Sequence, residues 1–218
     1  MLPEPLLARQ IIEVLGQSGT PYSKGVSYYN VGNETLLNTI DSNYLGSYLA
    51  DGGAVFKLVV GDYGSGKSHF LYCVRDRAWQ RDFAVSKVDL SPKECPYNDQ
   101  RLVYASVASS IIWHELGSQS EDERGLSRFL EGTLRRLLAP YGGDFEDPEA
   151  ANLPEVRAFL HTLQATPVDS LSFHKAVEGY FYALLRGQER RLEALERWLH
   201  GETVSTEDMR DLRTIGVT

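Results

Sequence analysis

The chain has 218 residues and a formal net charge of −8, with 42% hydrophobic and 24% charged residues. These values are ordinary for a soluble globular protein of one domain, or one domain and an appendage, and the acidic charge argues against coating nucleic acid through bulk charge. No apolar run approaches the roughly 20 residues of a membrane helix, and the N-terminus lacks a signal-peptide pattern. Cys73 and Cys95 lack metal-type spacing, and two unpaired cysteines favour a reducing cytoplasm.

The first 53 residues predict two helices separated by a linker and an extended segment. Apolar residues at helical spacing predict a helix over residues 5–16, with a proline in its first turn and a glycine at its end. Residues 19–21 predict a linker, and residues 25–32 an extended, partly alternating segment. Asn33 is the predicted N-cap of a second helix, which ends at residues 51–53. That helix carries one apolar and aromatic side: Leu37, Ile40, Tyr44 and Tyr48.

Residues 55–71 are central to the prediction, because an apolar run, a glycine-rich turn and a new helical periodicity follow one another. Residues 61–68, Gly-Asp-Tyr-Gly-Ser-Gly-Lys-Ser, match G-x-x-x-x-G-K-[ST] at every fixed position. The β-branched and aromatic residues 55–60 predict a buried strand, and residues 70–79 predict a helix. A phosphate-binding loop lies between a strand and a helix in this way. The alternative is a glycine-rich strand–helix turn that binds nothing.

Each residue type in this loop has a chemical role in holding a nucleotide. Glycines allow backbone conformations that a Cβ forbids, so that successive N–H groups can face an anion, and the helix N-terminus adds unpaired N–H groups. We predict that Lys67 binds the β- and γ-phosphates and that Ser68 ligates Mg²⁺. The predicted cofactors are ATP and Mg²⁺, and no guanine-reading Asn-Lys-x-Asp motif is present. The predicted binding residues are Gly61, Asp62, Tyr63, Gly64, Ser65, Gly66, Lys67, Ser68 and His69.

A second strand is predicted over residues 83–90, and it completes one parallel β-α-β unit with the preceding elements. Residues 91–99 predict a loop at the carboxyl edge of that strand, where open α/β sheets bind ligands. A phosphate-loop ATPase also needs an acid, at the end of an apolar strand, that orders the Mg²⁺ shell. The strand over residues 83–90 is interrupted by a lysine, so Asp89 and Glu94 are only the nearest candidates for catalytic acids.

From residue 101 the pattern predicts helices almost only. Apolar stripes predict helices over residues 102–116, 126–138, 154–163, 173–185 and 192–199, with a capping box, Ser205 and Asp208, at a last short helix. Four residues of the stripes are predicted to be buried: Leu130, Leu134, Phe181 and Leu185. Five arginines are candidates for contacting DNA, but each lies among acids, which favours a solvated helix face: Arg135, Arg136, Arg186, Arg190 and Arg191.

Several sequence blocks together resemble a known family. They are Ala-Arg-Gln-Ile-Ile-Glu (8–13), Gly-Val (25–26), Val-Gly-Asn-Glu (31–34), Gly-Asp-Tyr-Gly-Ser-Gly-Lys-Ser-His-Phe-Leu (61–71), Val-Asp-Leu-Ser-Pro (88–92) and Trp-Leu-His-Gly-Glu (198–202). These blocks, which span nearly the whole chain, look like those of the ATP-binding proteins of BREX phage-defence systems, relatives of the AAA+ and origin-initiator ATPases. The tyrosine in the loop and the Ser-His-Phe-Leu after Lys67 are more specific than the general phosphate-loop pattern.

The resemblance implies an ATPase in a DNA-associated, multi-subunit defence complex. Its implied partners are other defence proteins, DNA reached through the complex, and further copies of the chain bound through an AAA+-like core. Residues 31–34 resemble the box before the first AAA+ helix, near which adenine packs, so Tyr28, Val31 and Gly32 are candidate adenine neighbours. The family proteins are longer and carry the acidic motif downstream.

We therefore predict an α/β phosphate-loop NTPase of AAA+ type. Its segments are an N-terminal helix and linker (1–24), a nucleotide-binding core (25–100) and a large helical insertion or subdomain (101–218). Two strands do not make a stable sheet, so we expect an incomplete parallel-sheet core, the N-terminal portion of a longer protein, and slow hydrolysis by this chain alone. The alternatives are a non-hydrolysing scaffold that binds nucleotide, DNA or partners, and a small-molecule kinase, which the incomplete sheet disfavours.

Overall fold

A computed structural model describes residues 4–18, 21–113, 124–142, 150–166 and 170–218. The chain divides after Val85 into two compact units, an N-terminal unit of residues 1–85 and a C-terminal unit of residues 86–218. In the N-terminal unit, the described α-helices are α1 (Pro5–Ser18), α2 (Glu34–Ile40) and α3 (Lys67–Trp79). A 3₁₀ turn spans Val26–Tyr28, and a π-helix over Asp41–Tyr48 continues α2.

The N-terminal unit has a small apolar core between α2, α3 and the 3₁₀ turn. Val26, Leu37 and Cys73 are buried there. Four partly buried side chains pack against them: Tyr29, Phe70, Tyr72 and Val74. Cys73 packs in this core, and both cysteines are free thiols. The first two predicted helices are also confirmed, although Asn33 occupies the N-cap position of α2 without a side-chain capping bond.

An ion pair closes the end of α3 onto the π-helix. Arg81 donates from Nε to Oδ1 of Asp41 at 2.6 Å and from Nη2 to Oδ2 at 2.9 Å. This fork lowers the pKa of Asp41 below its ordinary value, chiefly through the hydrogen bond from Arg81. A Cβ at Gly46 would lie only 2.6 Å from Cζ of Arg81, so the guanidinium reaches Asp41 over a residue without a side chain.

Two predicted extended segments of the N-terminal unit are wrong. Residues 25–32 were expected to be extended, but Gly25 has a φ of 66° and leads into the 3₁₀ turn, which carries Val26 into the core. Residues 55–60 do not form a strand, and Phe56, Leu58 and Val60 are 84%, 75% and 81% exposed. A strand requires a neighbour for its backbone N–H and C=O groups, and none of the described residues pairs with this segment. The expected parallel β-α-β unit is therefore absent from the described part of the chain.

The C-terminal unit begins with a two-stranded sheet of β1 (Val85–Ser86) and β2 (Ile111–Ile112). The strand predicted over residues 83–90 is thus reduced to β1. The helix predicted over residues 102–116 ends at Ser109, and Leu116 lies outside the described residues. At the end of this helix, the hydroxyl of Ser110 bonds the carbonyl of Ser106 and the hydroxyl of Ser86, directly before β2.

Helices make up the rest of the described C-terminal unit, as predicted. They are α4 (Gln100–Ser109), α5 (Leu126–Leu138), α6 (Pro154–Ala165), α7 (Leu171–Leu185), α8 (Glu189–Leu199) and α9 (Thr206–Thr214), with 3₁₀ turns over Ala139–Tyr141 and Ala150–Asn152. The capping prediction is confirmed, because the N–H of Asp208 donates to Oγ of Ser205 at 3.1 Å. Of the predicted linker, residues 19–20 lie outside the described residues.

One continuous apolar core joins α5 to α9. Helix α7 is central, since its apolar residues are buried around most of its circumference. The four residues predicted to be buried are confirmed, with exposures of 5% for Leu130, 0% for Leu134, 1% for Phe181 and 5% for Leu185. The stripes of α5, α7 and α8 therefore pack against one another rather than against solvent.

Candidate nucleotide-binding site

The predicted phosphate loop connects the exposed segment of residues 55–60 to α3. Gly64 and Gly66 have φ values of 79° and 85°, which side chains other than glycine rarely adopt. Gly66 is the N-cap residue of α3, and no side chain caps the helix there. The first N–H groups of a helix have no acceptor within it, so the backbone donors of Lys67, Ser68 and His69 remain available to an anion.

Lys67 is folded back over the loop that precedes it. Its Nζ donates to the carbonyl oxygens of Gly61 at 2.8 Å and Asp62 at 2.6 Å, which uses two of the three N–H donors of the ammonium. The N–H of Ser65 donates to the carbonyl of Asp62 at 3.2 Å and closes the turn. A Cβ at Gly61 would lie 2.6 Å from Oγ of Ser65, so a larger residue at position 61 would displace the Ser65 hydroxyl.

The loop is open to solvent. Residues 61–66 and Ser68 are exposed, and Tyr63 projects entirely from the surface. The predicted loop residues therefore lie at one exposed helix end, where the ammonium of Lys67 is held at the carbonyl oxygens of Gly61 and Asp62. A lysine ammonium, unpaired N–H groups and a serine hydroxyl at one helix end are the donor set that a triphosphate requires.

His69 differs from the other loop residues, because its side chain turns toward residues 29–30. Its Nε2 lies 3.1 Å from Oδ1 of Asn30, and its ring centroid lies 4.9 Å from that of Tyr29 at 42°. Sγ of Cys73, one helical turn further, is 3.6 Å from the same Nε2. Burial lowers the pKa of His69, which favours the neutral ring at pH 7. Since Oδ1 of Asn30 is an acceptor, Nε2 carries the proton, and the buried Nδ1 has no hydrogen-bond partner in the described structure.

Asn30 is held by its neighbours as well as by His69. Its Oδ1 also accepts from Nδ2 of Asn33 at 3.1 Å, and its Nδ2 donates to Oε1 of Glu34 at 3.2 Å. The local sequence indicates a cap at Asn33 and does not single out Asn30. No local signal links Asn30 to His69, because the two residues are 39 positions apart.

The three candidate adenine neighbours lie on the segment that Asn30 fixes. Tyr28 is 44% exposed and Val31 is 86% exposed. Gly32 has a φ of 83°, which turns the chain between Val31 and α2. The structure thus brings this segment to the first turn of α3, next to the residues that follow the phosphate loop.

Arg75 anchors α3 and was missed in the sequence analysis. Its guanidinium donates to the carbonyl of Ser23 and, from Nη2 at 2.7 Å, to Oδ1 of Asp76. It also lies over the rings of Tyr72 and Trp79, with Cζ 4.9 Å and 4.3 Å from the two centroids. These aromatic residues precede and follow Arg75 by three and four positions on α3, a spacing that the sequence does contain.

The two candidate acids lie in the C-terminal unit. The carboxylate of Asp89 accepts from Nζ of Lys87 at 2.6 and 2.8 Å, and its side chain is 86% exposed. Glu94 is exposed, and its backbone N–H donates to Oγ of Ser91 at 3.0 Å. Within the described ranges, no group of three or more His, Cys, Asp or Glu side chains could hold a metal ion.

Comparison with known families decides the membership of the chain. The sequence model of the family described as "BREX system ATP-binding protein BrxC/D" matches residues 4–218. The chain belongs to this BREX family. The predicted resemblance is thereby confirmed over essentially the whole sequence. Neither the search of curated proteins nor the search of solved structures returned a match.

Membership in the BREX family names ATP as the ligand, and the loop of this chain fits that ligand. The fit rests on the cradle itself: positive φ angles at two glycines, the uncapped start of α3 and the ammonium of Lys67 at the loop carbonyls. Membership in the BREX family also implies other proteins of the BREX system as partners. Among the described residues, no helix is long and apolar enough to cross a membrane.

Proposed function

We propose that this BREX family chain binds Mg²⁺-ATP through residues 61–68 and serves as the ATPase subunit of a defence complex. The observation that supports the proposal is the position of Lys67 at the uncapped start of α3, with Nζ 2.6–2.8 Å from two loop carbonyls. The backbone N–H groups of Gly64, Gly66, Lys67 and Ser68 would hold phosphate oxygens. Lys67 would exchange its carbonyl bonds for the β- and γ-oxygens, and Ser68 would offer its hydroxyl to Mg²⁺.

ATP would supply a phosphoanhydride bond, and cleavage of this bond can provide free energy to the complex. The chain's own residues would bind and orient the triphosphate, since a phosphate loop contributes positioning and charge rather than covalent chemistry. Tyr28, Val31 and Gly32 would border the base. We propose an AAA+-type nucleotide-binding core over residues 25–100, a helical subdomain over residues 101–218 and a cytoplasmic location. The exposed apolar residues 55–60 support this proposal, because a segment of this composition becomes a buried strand when other strands pair with it.

The test is nucleotide affinity measured by calorimetry with the full chain. Lys67→Ala should weaken binding of Mg²⁺-ATP at least tenfold, because a charged hydrogen-bond partner contributes about 2 kcal/mol. Lys57→Ala is the matched control, since this lysine bonds the Tyr44 hydroxyl at 2.7 Å and lies outside the loop. Equal ATP affinity of the wild type and the Lys67 variant would refute the proposal.

A non-hydrolysing scaffold is the second candidate function. It is favoured by the position of the candidate acids, because Asp89 is paired with Lys87 in solvent and Glu94 is exposed. We expect phosphate release near background from the chain alone, because turnover needs an acid for the Mg²⁺ shell and usually an arginine from a neighbouring subunit. Robust release that is lost in Asp89→Asn would instead make Asp89 the catalytic acid.

DNA is proposed to be reached through partner proteins of the complex. With a net charge of −8, the chain alone should bind duplex weakly, and any binding should fall steeply with salt. Arg190 and Arg191 are engaged by acids of α9, with Arg190 Nε 3.1 Å from Asp208 and Arg191 Nη2 2.6 Å from Asp211. Duplex binding that persists at about 200 mM salt would contradict this proposal.

A further inference from the structure

A polar bridge connects the first turn of α3 with the segment before α2. We call it the Asn30 bridge, and it consists of His69, Asn30, Asn33 and Glu34. His69 directly follows Ser68, so one end of the bridge lies at the residue proposed to hold the metal. The other end fixes the turn that contains Val31 and Gly32. The bridge therefore spans the two chain segments proposed to hold the phosphates and the base.

The segment held by the bridge exposes apolar surface that is free to contact a ligand base. Val31 lies in the sequence between Asn30 and Asn33, whose side chains are hydrogen-bonded to each other, and it is 86% exposed. Tyr28 adds a ring that is 44% exposed. A polyphosphate chain without a base could use the loop but would gain nothing from this apolar surface. The distance between the phosphate loop and this apolar segment thus determines whether one nucleotide can contact both.

We infer that His69 is a positioning residue, whose hydrogen bond to Asn30 places residues 28–31 for the base and so gives the site its preference for a nucleoside triphosphate over bare polyphosphate. This inference rests on the proposed function. The Nε2–H donor is essential to it, because Oδ1 of Asn30 receives one bond from α3 and one from Asn33. Without the donor on α3, Asn30 stays bound only to its own segment.

The experiment compares two ligands, Mg²⁺-ATP and Mg²⁺-tripolyphosphate, by calorimetry on the full chain. His69→Ala should weaken ATP binding about threefold to tenfold, the factor that one net hydrogen bond contributes, and should leave tripolyphosphate binding unchanged. His69→Gln should restore ATP binding, because Nε2 of glutamine is the same number of bonds from the backbone as Nε2 of histidine. His161→Ala, at an exposed position of α6, is the matched control and should change neither affinity.

Asn30→Ala tests the other side of the bridge and remains informative should His69→Ala fail to fold. It should give the same selective loss, and the double variant should lose no more than either single variant, because both remove one interaction. Equal losses for ATP and tripolyphosphate, or a loss that His69→Gln does not restore, would reduce His69 to a structural support of the loop. A wild type that binds tripolyphosphate and ATP equally well would also overturn the inference, whereas a wild type that binds neither would overturn the proposed function itself.

Discussion

The two units of this protein differ in the balance between buried apolar side chains and polar side-chain contacts. In the C-terminal unit, α5 to α9 share one continuous core, and Leu134, Leu195 and Leu212 have no exposed surface. In the N-terminal unit the buried cluster is small, and polar contacts such as the fork from Arg81 to Asp41 connect segments that are far apart in sequence. The comparison shows that burial dominates in the helical unit, while a few directional bonds link the segments of the unit that contains the proposed phosphate loop.

The largest expected effect is in the C-terminal core. Leu134→Ala should lower the free energy of unfolding by about 2–5 kcal/mol, because it opens a cavity at a position with 0% exposure. Urea denaturation measures this change. Leu58→Ala, at a position 75% exposed in the N-terminal unit, is the control and should be close to neutral. Similar losses in both variants would remove the contrast between the units.

A somewhat smaller effect is expected at Arg75. Arg75→Ala should cost about 1.5–3 kcal/mol, because hydrogen bonds to charged groups contribute that much and because Asp76 and the carbonyl of Ser23 lose their partner. Thermal melts should show the loss, with Arg9→Ala as the control, since its side chain is 79% exposed. A neutral Arg75→Ala would mean that apolar packing alone supports α3.

The C-terminal unit also contains a buried charge, which provides a test by pH. Burial raises the pKa of Glu178, but hydrogen bonds from Lys175 and Gln164 outweigh it, so that the net pKa is lowered. A lowered folded pKa means that the carboxylate contributes stability above the ordinary pKa of about 4.3, and that this stability is lost as the pH falls through the folded pKa.

Glu178→Gln should therefore destabilise the protein near neutral pH, and the two proteins should converge in acid. Denaturation midpoints across the acidic range measure the difference. Glu193→Gln, at an exposed position of α8, should show no such convergence. A difference between wild type and Glu178→Gln that stays constant with pH would contradict the assigned ionisation.

The smallest expected effect concerns the capping bond of α9. Ser205→Ala should cost about 1 kcal/mol, because the N–H of Asp208 loses its acceptor. Ser205→Asp keeps an acceptor at this position and should stay close to wild type in thermal melts. A loss in the alanine variant comparable to that of Leu134→Ala would show that single polar bonds matter as much in the C-terminal unit as its core does.

Features that depend on neighbouring residues could be predicted from the sequence alone. The stripes of α5 and α7, the cap at Ser205 and the loop at residues 61–68 all follow from spacings of a few positions. At this range the helical period and the capping geometry leave few alternatives. For this reason the buried positions of the helical unit could be predicted by residue number.

Segments that need a distant partner could not be predicted in this way, because their conformation depends on long-range contacts. Residues 55–60 have the composition of a strand, but a strand forms only beside another, and β1 pairs instead with β2. The bond between His69 and Asn30 spans 39 positions, and that between Arg81 and Asp41 spans 40. No local pattern encodes such contacts, because they depend on the path that brings α3 back against the segment before α2. The helix that follows the phosphate loop is a property of local sequence, and the side chains against which its first turn lies are a property of the fold.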